Sequence, residues 1–275
     1  MLNMNIQYNY VINGGFEHRL SPLDRGFSYG DGVFRTLKVL SGQPMDWALH
    51  YQKLLGDCSA LGIVCPSAEL LQSDLGLLFG EADSGVAKIV ITRGEGERGY
   101  APPAITSPTR VVLKSPLPTY PSQHFDEGVK LYACNTRVSH QPLLAGVKHL
   151  NRLENVLARS EWQDPECVDG VMLDADGYVV ECTSANLFIR AKHALITPAL
   201  TRCGVAGVTR QRVLDFAPVL SLSPVVKPVT LDELLQADEV MICNSLYGAW
   251  QVRAFQQQRW PAGRLAADVR RLLSA

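Results

Sequence analysis

The sequence predicts an α+β protein of two domains, the second richer in strand than the first. Three observations carry that expectation. The chain has 275 residues, a length at which one core is near its limit and chains divide. Short β-branched runs bounded by Gly and Pro alternate with stretches whose apolar residues recur at helical spacing. Three prolines fall between Ser115 and Ser122, where they remove backbone donors and favour extended chain. The expected division is an N-terminal domain at 1–114, a linker at 115–122 and a C-terminal domain at 123–275.

In chain order, Tyr10 to Ile12 followed by Asn13-Gly14-Gly15 reads as strand and turn, and Val33 to Leu40 closes on Ser41-Gly42 as a second strand. Asp46 can cap a helix whose apolar residues Trp47, Tyr51, Leu54, Leu55, Cys58 and Leu61 repeat every three or four positions up to Gly62. A second helix is expected from Ser67 to Gly80, then strands at Val86 to Thr92 and Arg110 to Lys114. Beyond the prolines, strands are expected at Val129 to Ala133, Asp169 to Leu173, Tyr178 to Cys182, Leu187 to Arg190, Val225 to Thr230 and Glu239 to Cys243. Helices are expected at Leu150 to Trp162, Val208 to Phe216, Leu231 to Gln236 and Arg264 to Leu273. There is no internal repeat.

Composition narrows the function. With 26 Lys and Arg against 27 Asp and Glu, the chain lacks the basic footprint of nucleic-acid or anionic-lipid binding, so neither nucleic acid nor membrane is expected as a partner. The seven cysteines are odd in number and scattered without a CxxC pair, which suggests neither a disulfide framework nor a metal site. Met1 to Tyr10 lacks the pattern of a signal peptide, and no apolar run reaches the roughly 18 residues of a membrane span. The expectation is a cytoplasmic protein acting on a small molecule.

Three segments carry candidate chemistry. Lys148 stands just before a predicted helix with apolar positions Leu150, Leu153, Val156 and Leu157. Glu181 ends a strand predicted to be buried, where a carboxylate is costly unless paired, and Thr183, Ser184 and Asn186 follow with groups able to bond a turn's backbone. Gly204 to Arg210 is a Gly-punctuated loop entering a helix, whose first amides and dipole favour phosphate. Any one of these is commonplace. Together they supply an amine for a Schiff base, an anion for a protonated ring nitrogen and a phosphate cradle, the three needs of pyridoxal phosphate.

The order Tyr29-Gly30-Asp31-Gly32-Val33-Phe34, His50-x-x-Lys53-Leu54, Ile91-Thr92-Arg93-Gly94, Lys148, Glu181-x-x-Ser184-x-Asn186, Gly207-Val208-Thr209-Arg210 and Ala237-Asp238-Glu239-Val240 resembles the fold-type IV pyridoxal-phosphate enzymes. That family holds branched-chain aminotransferases, D-amino-acid aminotransferases and aminodeoxychorismate lyases. The resemblance spans nearly the whole chain, and the segments Arg93 to Tyr100 and Gly146 to Glu154 are most similar to the lyases. It implies an N-terminal α/β sandwich, a C-terminal barrel-like domain carrying the cofactor lysine, pyridoxal 5'-phosphate in the cleft between them, and a homodimer. The implied reaction converts 4-amino-4-deoxychorismate to p-aminobenzoate and pyruvate, with D-amino-acid or branched-chain transamination as the rival.

Carried onto this sequence, the resemblance implies that Lys148 bears the cofactor and moves the proton, and that Glu181 pairs with the pyridine N–H. Val208 and Thr209 offer N–H groups and a hydroxyl to the phosphate, with Ser184 and Asn244 as further cofactor contacts. Lys53 stands where the family usually has arginine, keeping the charge but losing the two-pronged geometry. Arg98 and Tyr100 stand where related aminotransferases grip a carboxylate, and Phe34 is placed at the substrate. Alternate residues of a strand share a face, so Thr36 joins Phe34 there, and its hydroxyl could donate a proton to, or position, the leaving enolpyruvate. His50, His149 and Cys182 are expected to have structural roles, while Arg152 and Glu154 are expected equally at the helix surface or a dimer contact and in catalysis.

Overall fold

The computed structural model describes residues 9–16 and 19–274. Residues 1–8, most of the stretch whose composition argued against a signal peptide, lie outside the described residues. The chain forms two compact units, one running to Pro118 and including Lys148–Asn151, the other comprising Thr119–Val147 and Arg152 onward. The Lys148 segment thus groups with the first unit, not with the residues that flank it in the chain.

In the first unit, strands β1 (Tyr10–Ile12), β2 (Gly32–Leu40), β3 (Gln43–Pro44), β4 (Gly85–Thr92) and β5 (Arg110–Ser115) form an antiparallel sheet in the order β1-β5-β4-β2-β3. Helix α1 (Arg25–Tyr29) precedes β2, and α2 (Trp47–Ala60) and α3 (Ala68–Leu78) lie between β3 and β4. Val33, Leu37 and Val39 of β2 are buried, as are Leu54 and Cys58 of α2, which packs on that strand. Ser67 caps α3, its hydroxyl accepting the Leu70 N–H at 3.3 Å. Asp46 does not cap α2. It is left-handed at φ 53° and its side chain makes no cap bond.

The second unit contains α4 (Gln123–Asp126), β6 (Val129–Val138), α5 (Leu153–Arg159), β7 (Cys167–Asp174), β8 (Val179–Cys182), β9 (Asn186–Ala191), β10 (Ala194–Pro198), α6 (Val208–Phe216), β11 (Ser223–Lys227), α7 (Leu231–Leu235), β12 (Glu239–Asn244), β13 (Gly248–Phe255), β14 (Gln258–Arg259) and α8 (Leu265–Leu273). Its main sheet runs β11-β10-β9-β12-β13-β6-β7-β8, with β14 on β13. This is the expected barrel-like architecture. The sheet curls until Val179 of β8 donates its N–H to the Val229 carbonyl, two residues beyond β11, at 2.8 Å. The core beneath it holds Leu131, Val171, Leu187, Ile189, Ile242, Trp250 and Phe255.

One expected element is cut short. The helix predicted from Leu150 is confined to α5, because the residues before it are recruited as a β-bridge. Val33 pairs with His149, the Phe34 N–H bonds the Lys148 carbonyl, and the Leu150 N–H bonds the Gly32 carbonyl. Leu153, Val156 and Leu157, apolar positions of the expected helix, are exposed, and Ala158 is the buried residue of α5.

Candidate active site

In the first unit, β2 alternates cleanly. Val33, Arg35, Leu37 and Val39 point into the core, while Phe34, Thr36 and Lys38 share the half-buried face. Lys148 brings its Nζ to 4.6 Å from the centre of the Phe34 ring, and Lys88 of β4 approaches the same ring at 4.9 Å. Lys88 is the register partner of Thr36. Phe34 and Lys148 thus lie together, with a second lysine, Lys88, that only the strand register brings to the same ring.

The main chain of Lys148 is fixed from two sides. Besides its carbonyl bond to Phe34, its N–H donates to Asp57 Oδ2 at 3.3 Å. Asp57 is almost fully buried on α2 and also pairs with the Arg35 guanidinium and the Lys53 ammonium. Lys53 therefore stands beside Lys148, where burial and the neighbouring Arg35 and Lys148 charges draw its ammonium down to about 7. The same three causes draw His50 down to about 4, so its imidazole is neutral at physiological pH. Neither Arg35 nor Asp57 was singled out by the sequence.

Arg98 and Tyr100 sit on a separate loop of this unit, both exposed. The Tyr100 ring meets Tyr29 edge-on at 5.5 Å, and its main chain is held by Arg25. The loop's side chains point to solvent from a fixed backbone.

In the second unit, Glu181 is buried at the end of β8, as expected. Its Oε2 accepts the Val205 N–H at 2.9 Å and the Asn186 side-chain amide at 3.3 Å, and the Arg152 charge acts on it. Bonds to a carboxylate favour its charged form. The turn after Glu181 hangs on Asp169, whose carboxylate accepts the Thr183 hydroxyl at 2.5 Å, the Ser184 hydroxyl at 2.7 Å and the Gly170 N–H at 2.7 Å. Burial nevertheless raises the Asp169 pKa.

Helix α6 opens at Gly207 with no side-chain cap, leaving its first-turn amides without intrahelical acceptors. A Cβ at Gly207 would collide with Asn186 Oδ1, the atom that accepts the Gly207 N–H at 3.2 Å. Val208 and Thr209 form the first turn, and the Thr209 hydroxyl meets that of Ser245 at 3.3 Å. Asn244 spends its Oδ1 on the Leu246 and Tyr247 N–H groups and gives its amide to the Ser184 carbonyl at 3.4 Å. Asn244 thus ties the Ser184 turn to the one carrying Ser245. The Ser245 hydroxyl was missed because nothing in the sequence around it marks a helix entrance.

A family model described as amino-transferase class IV matches residues 32–255. The chain belongs to this family. Among relatives of this class IV member, the aminodeoxychorismate lyase of Vibrio harveyi is 38% identical over 87% of this chain and 88% of its own. The D-alanine aminotransferase of Bacillus licheniformis is 28% identical over 88% of this chain and 85% of its own. The crystal structure of 4-amino-4-deoxychorismate lyase from Pseudomonas aeruginosa superposes with a TM-score of 0.92 at 45% identity, covering 96% of this chain and 97% of that one. The branched-chain aminotransferase of Escherichia coli shares the fold, with a TM-score of 0.80 at 21% identity over 96% of this chain and 90% of that one.

Class IV members are pyridoxal-phosphate enzymes, and this chain is one of them. Its residues fit the cofactor. A half-buried lysine lies over an aromatic ring, a buried carboxylate is held by two donors, and an uncapped helix N-terminus follows a glycine whose Cβ would clash. These are the donor types for its aldehyde, ring nitrogen and phosphate.

Proposed function

We propose that this protein is a lyase that converts 4-amino-4-deoxychorismate to p-aminobenzoate and pyruvate, in a cytoplasmic homodimer whose domains divide at residues 115–122. The observation that carries the reading is the face of β2 on which Thr36 lies beside Phe34, with Lys148 Nζ over that ring at 4.6 Å. A hydroxyl and an amine on one surface suit a reaction that removes a proton and expels an oxygen. The likeness to lyases at 38% and 45% identity, over 87% and 96% of this chain, supports it.

Bound pyridoxal phosphate supplies a sink for the electron pair left when the substrate carbon bearing the amino group loses its proton. Lys148 Nζ takes that proton. Glu181 places a negative charge at the pyridine nitrogen and keeps it protonated, while Lys53, Val208, Thr209, Ser184 and Asn244 hold the cofactor. Thr36 gives a proton to, or orients, the enolpyruvyl oxygen as its bond to the neighbouring ring carbon breaks. Ring aromatisation drives that step. Arg98 and Tyr100 take a substrate carboxylate, and Phe34 packs beside the ring.

The homodimer is supported by α5, whose Leu153, Val156 and Leu157 are 69%, 57% and 54% exposed at i, i+3 and i+4. The cytoplasmic assignment is supported by seven free cysteines. Among the described residues no helix is long and apolar enough to cross a membrane.

Incubating the pyridoxal-phosphate-loaded protein with aminodeoxychorismate, without any keto acid, tests the reaction. Appearance of p-aminobenzoate and pyruvate in equal amounts is expected. Transfer from D-alanine or a branched-chain amino acid to 2-oxoglutarate, with no p-aminobenzoate formed, would replace the lyase with an aminotransferase.

A further inference from the structure

The Arg98 loop is fastened by a residue outside every motif so far given a chemical role. Arg25, at the start of α1, is only 4% exposed although it carries a full charge. Its Nη1 donates to the carbonyls of Gly99 at 3.0 Å and Ala101 at 3.4 Å, and its Nη2 to the Tyr100 carbonyl at 2.9 Å. One guanidinium therefore reads three consecutive carbonyls.

Its Nε donates to Asp31 Oδ2 at 2.9 Å, and the same carboxylate accepts two bonds from Arg93, at 2.7 and 3.0 Å. Those two arginines hold the Asp31 carboxyl below its usual range against the opposing effect of burial. Arg25 is thereby aimed by an acid that is itself anchored to the end of β4. From the other side, the Tyr29 hydroxyl accepts the Gly99 N–H at 3.1 Å. Gly99 has φ 117°, a conformation that L side chains rarely adopt.

This much main-chain fixation is unneeded for a solvent loop. Tyr100 is 87% exposed and Arg98 is exposed as well, so the bonds do not bury an apolar payload. What they fix is the direction in which two exposed side chains leave the backbone. We propose that Arg25 is a positioning residue that sets the form of the 98–101 loop and, through it, the affinity for the anionic substrate. This rests on the reading of the loop as the carboxylate-binding element. A loop ordered before substrate arrives spares the ordering entropy that would otherwise be lost on binding.

Four variants separate the possibilities: Arg25→Ala, Arg25→Lys, Tyr29→Phe and Arg98→Ala. Each is loaded with cofactor, and KM, kcat and the cofactor dissociation constant are measured. For the first three, the rate of trypsin cleavage at the Arg98–Gly99 bond reports the loop independently of activity. Arg25→Ala should raise KM for aminodeoxychorismate roughly tenfold to a hundredfold, the scale on which small misplacements act. Cleavage should accelerate, while kcat and cofactor affinity stay within about threefold. Arg25→Lys, which cannot span three carbonyls, should fall between, and Tyr29→Phe should show a smaller shift in the same direction. These two keep the test open if Arg25→Ala fails to fold.

Wild-type KM in the Arg25 variants overturns the proposal, even where cleavage is faster. A fall in kcat or cofactor affinity matching the rise in KM overturns it too, since that is general damage. Arg98→Ala judges the underlying reading. If it leaves KM unchanged while Arg25→Ala raises it, Arg98 is no ligand, but the loop's positioning by Arg25 stands.

Discussion

Removing the Asp57 carboxylate should unfold the protein at markedly lower temperature. Asp57 and Arg35 have side chains 1% and 3% exposed, and they face each other between α2 and β2. Burial already draws the Arg35 guanidinium down to about 9, and its Nε has no hydrogen-bond partner. In Asp57→Ala the guanidinium stays inside without a counter-charge, and breaking such a pair from one side costs about 3–5 kcal/mol. The Lys148 N–H loses an acceptor, worth about 1 kcal/mol. Lys53, 27% exposed, can turn toward water and adds little. At about 2–4 °C per kcal/mol for a chain of this size, the midpoint should fall by roughly 8–24 °C. Thermal unfolding of the cofactor-free protein, followed by circular dichroism, reads this directly. The double variant Arg35→Leu/Asp57→Ala should recover more than half of the loss, because an apolar pair leaves no buried charge. A single variant within about 1 kcal/mol of wild type, or a double variant no better than the single, would refute the reasoning.

Lys148→Ala should abolish both the visible absorbance of the cofactor-loaded protein and its turnover, which spectrophotometry and a p-aminobenzoate assay check together. Glu181→Gln should retain cofactor but slow turnover greatly, since a neutral amide cannot hold a ring nitrogen protonated by charge. Thr36→Val preserves shape while removing the hydroxyl, so kcat should fall with the cofactor dissociation constant unchanged. His50, with its pKa lowered from 6.5 to about 4 by burial and by the Arg35 and Lys148 charges, binds protons less readily folded than unfolded. Its contribution to stability is therefore whole above about pH 6.5 and shrinks as pH falls toward 4, by on the order of 3 kcal/mol. His50→Leu should flatten that part of the stability–pH curve measured by urea unfolding.

Much of the architecture could be read from residue order because its signals are local. The β-branched runs at Val33, Val86 and Arg110 became β2, β4 and β5, and Ser67 capped its helix as its side chain allows. The segment after Lys148 misled because its leucines have helical spacing, while Lys148, His149 and Leu150 are claimed by β2, more than a hundred residues earlier. No local rule registers that competition. Strands β10 and β13 were not expected from the sequence at all. At the candidate site, Lys148, Glu181 and the α6 entrance stand out because amine, acid and Gly-rich turn have recognisable sequence forms. Asp57, Lys88 and Arg25 do not. Each acquires its place from a strand register or a tertiary contact.

The curl that brings Val179 to Val229 also bears on solubility. A sheet that ends openly presents a row of unsatisfied N–H and C=O groups, which another chain can extend by adding a strand of its own. In this protein the last strand, β8, gives its Val179 N–H to the Val229 carbonyl, so that part of its outer edge is already occupied by its own chain. Loosening the short stretch between β11 and α7 would unmask that edge while leaving most of the core intact. Self-association on heating would then begin from a nearly native molecule, with the strand that carries Glu181 as its template.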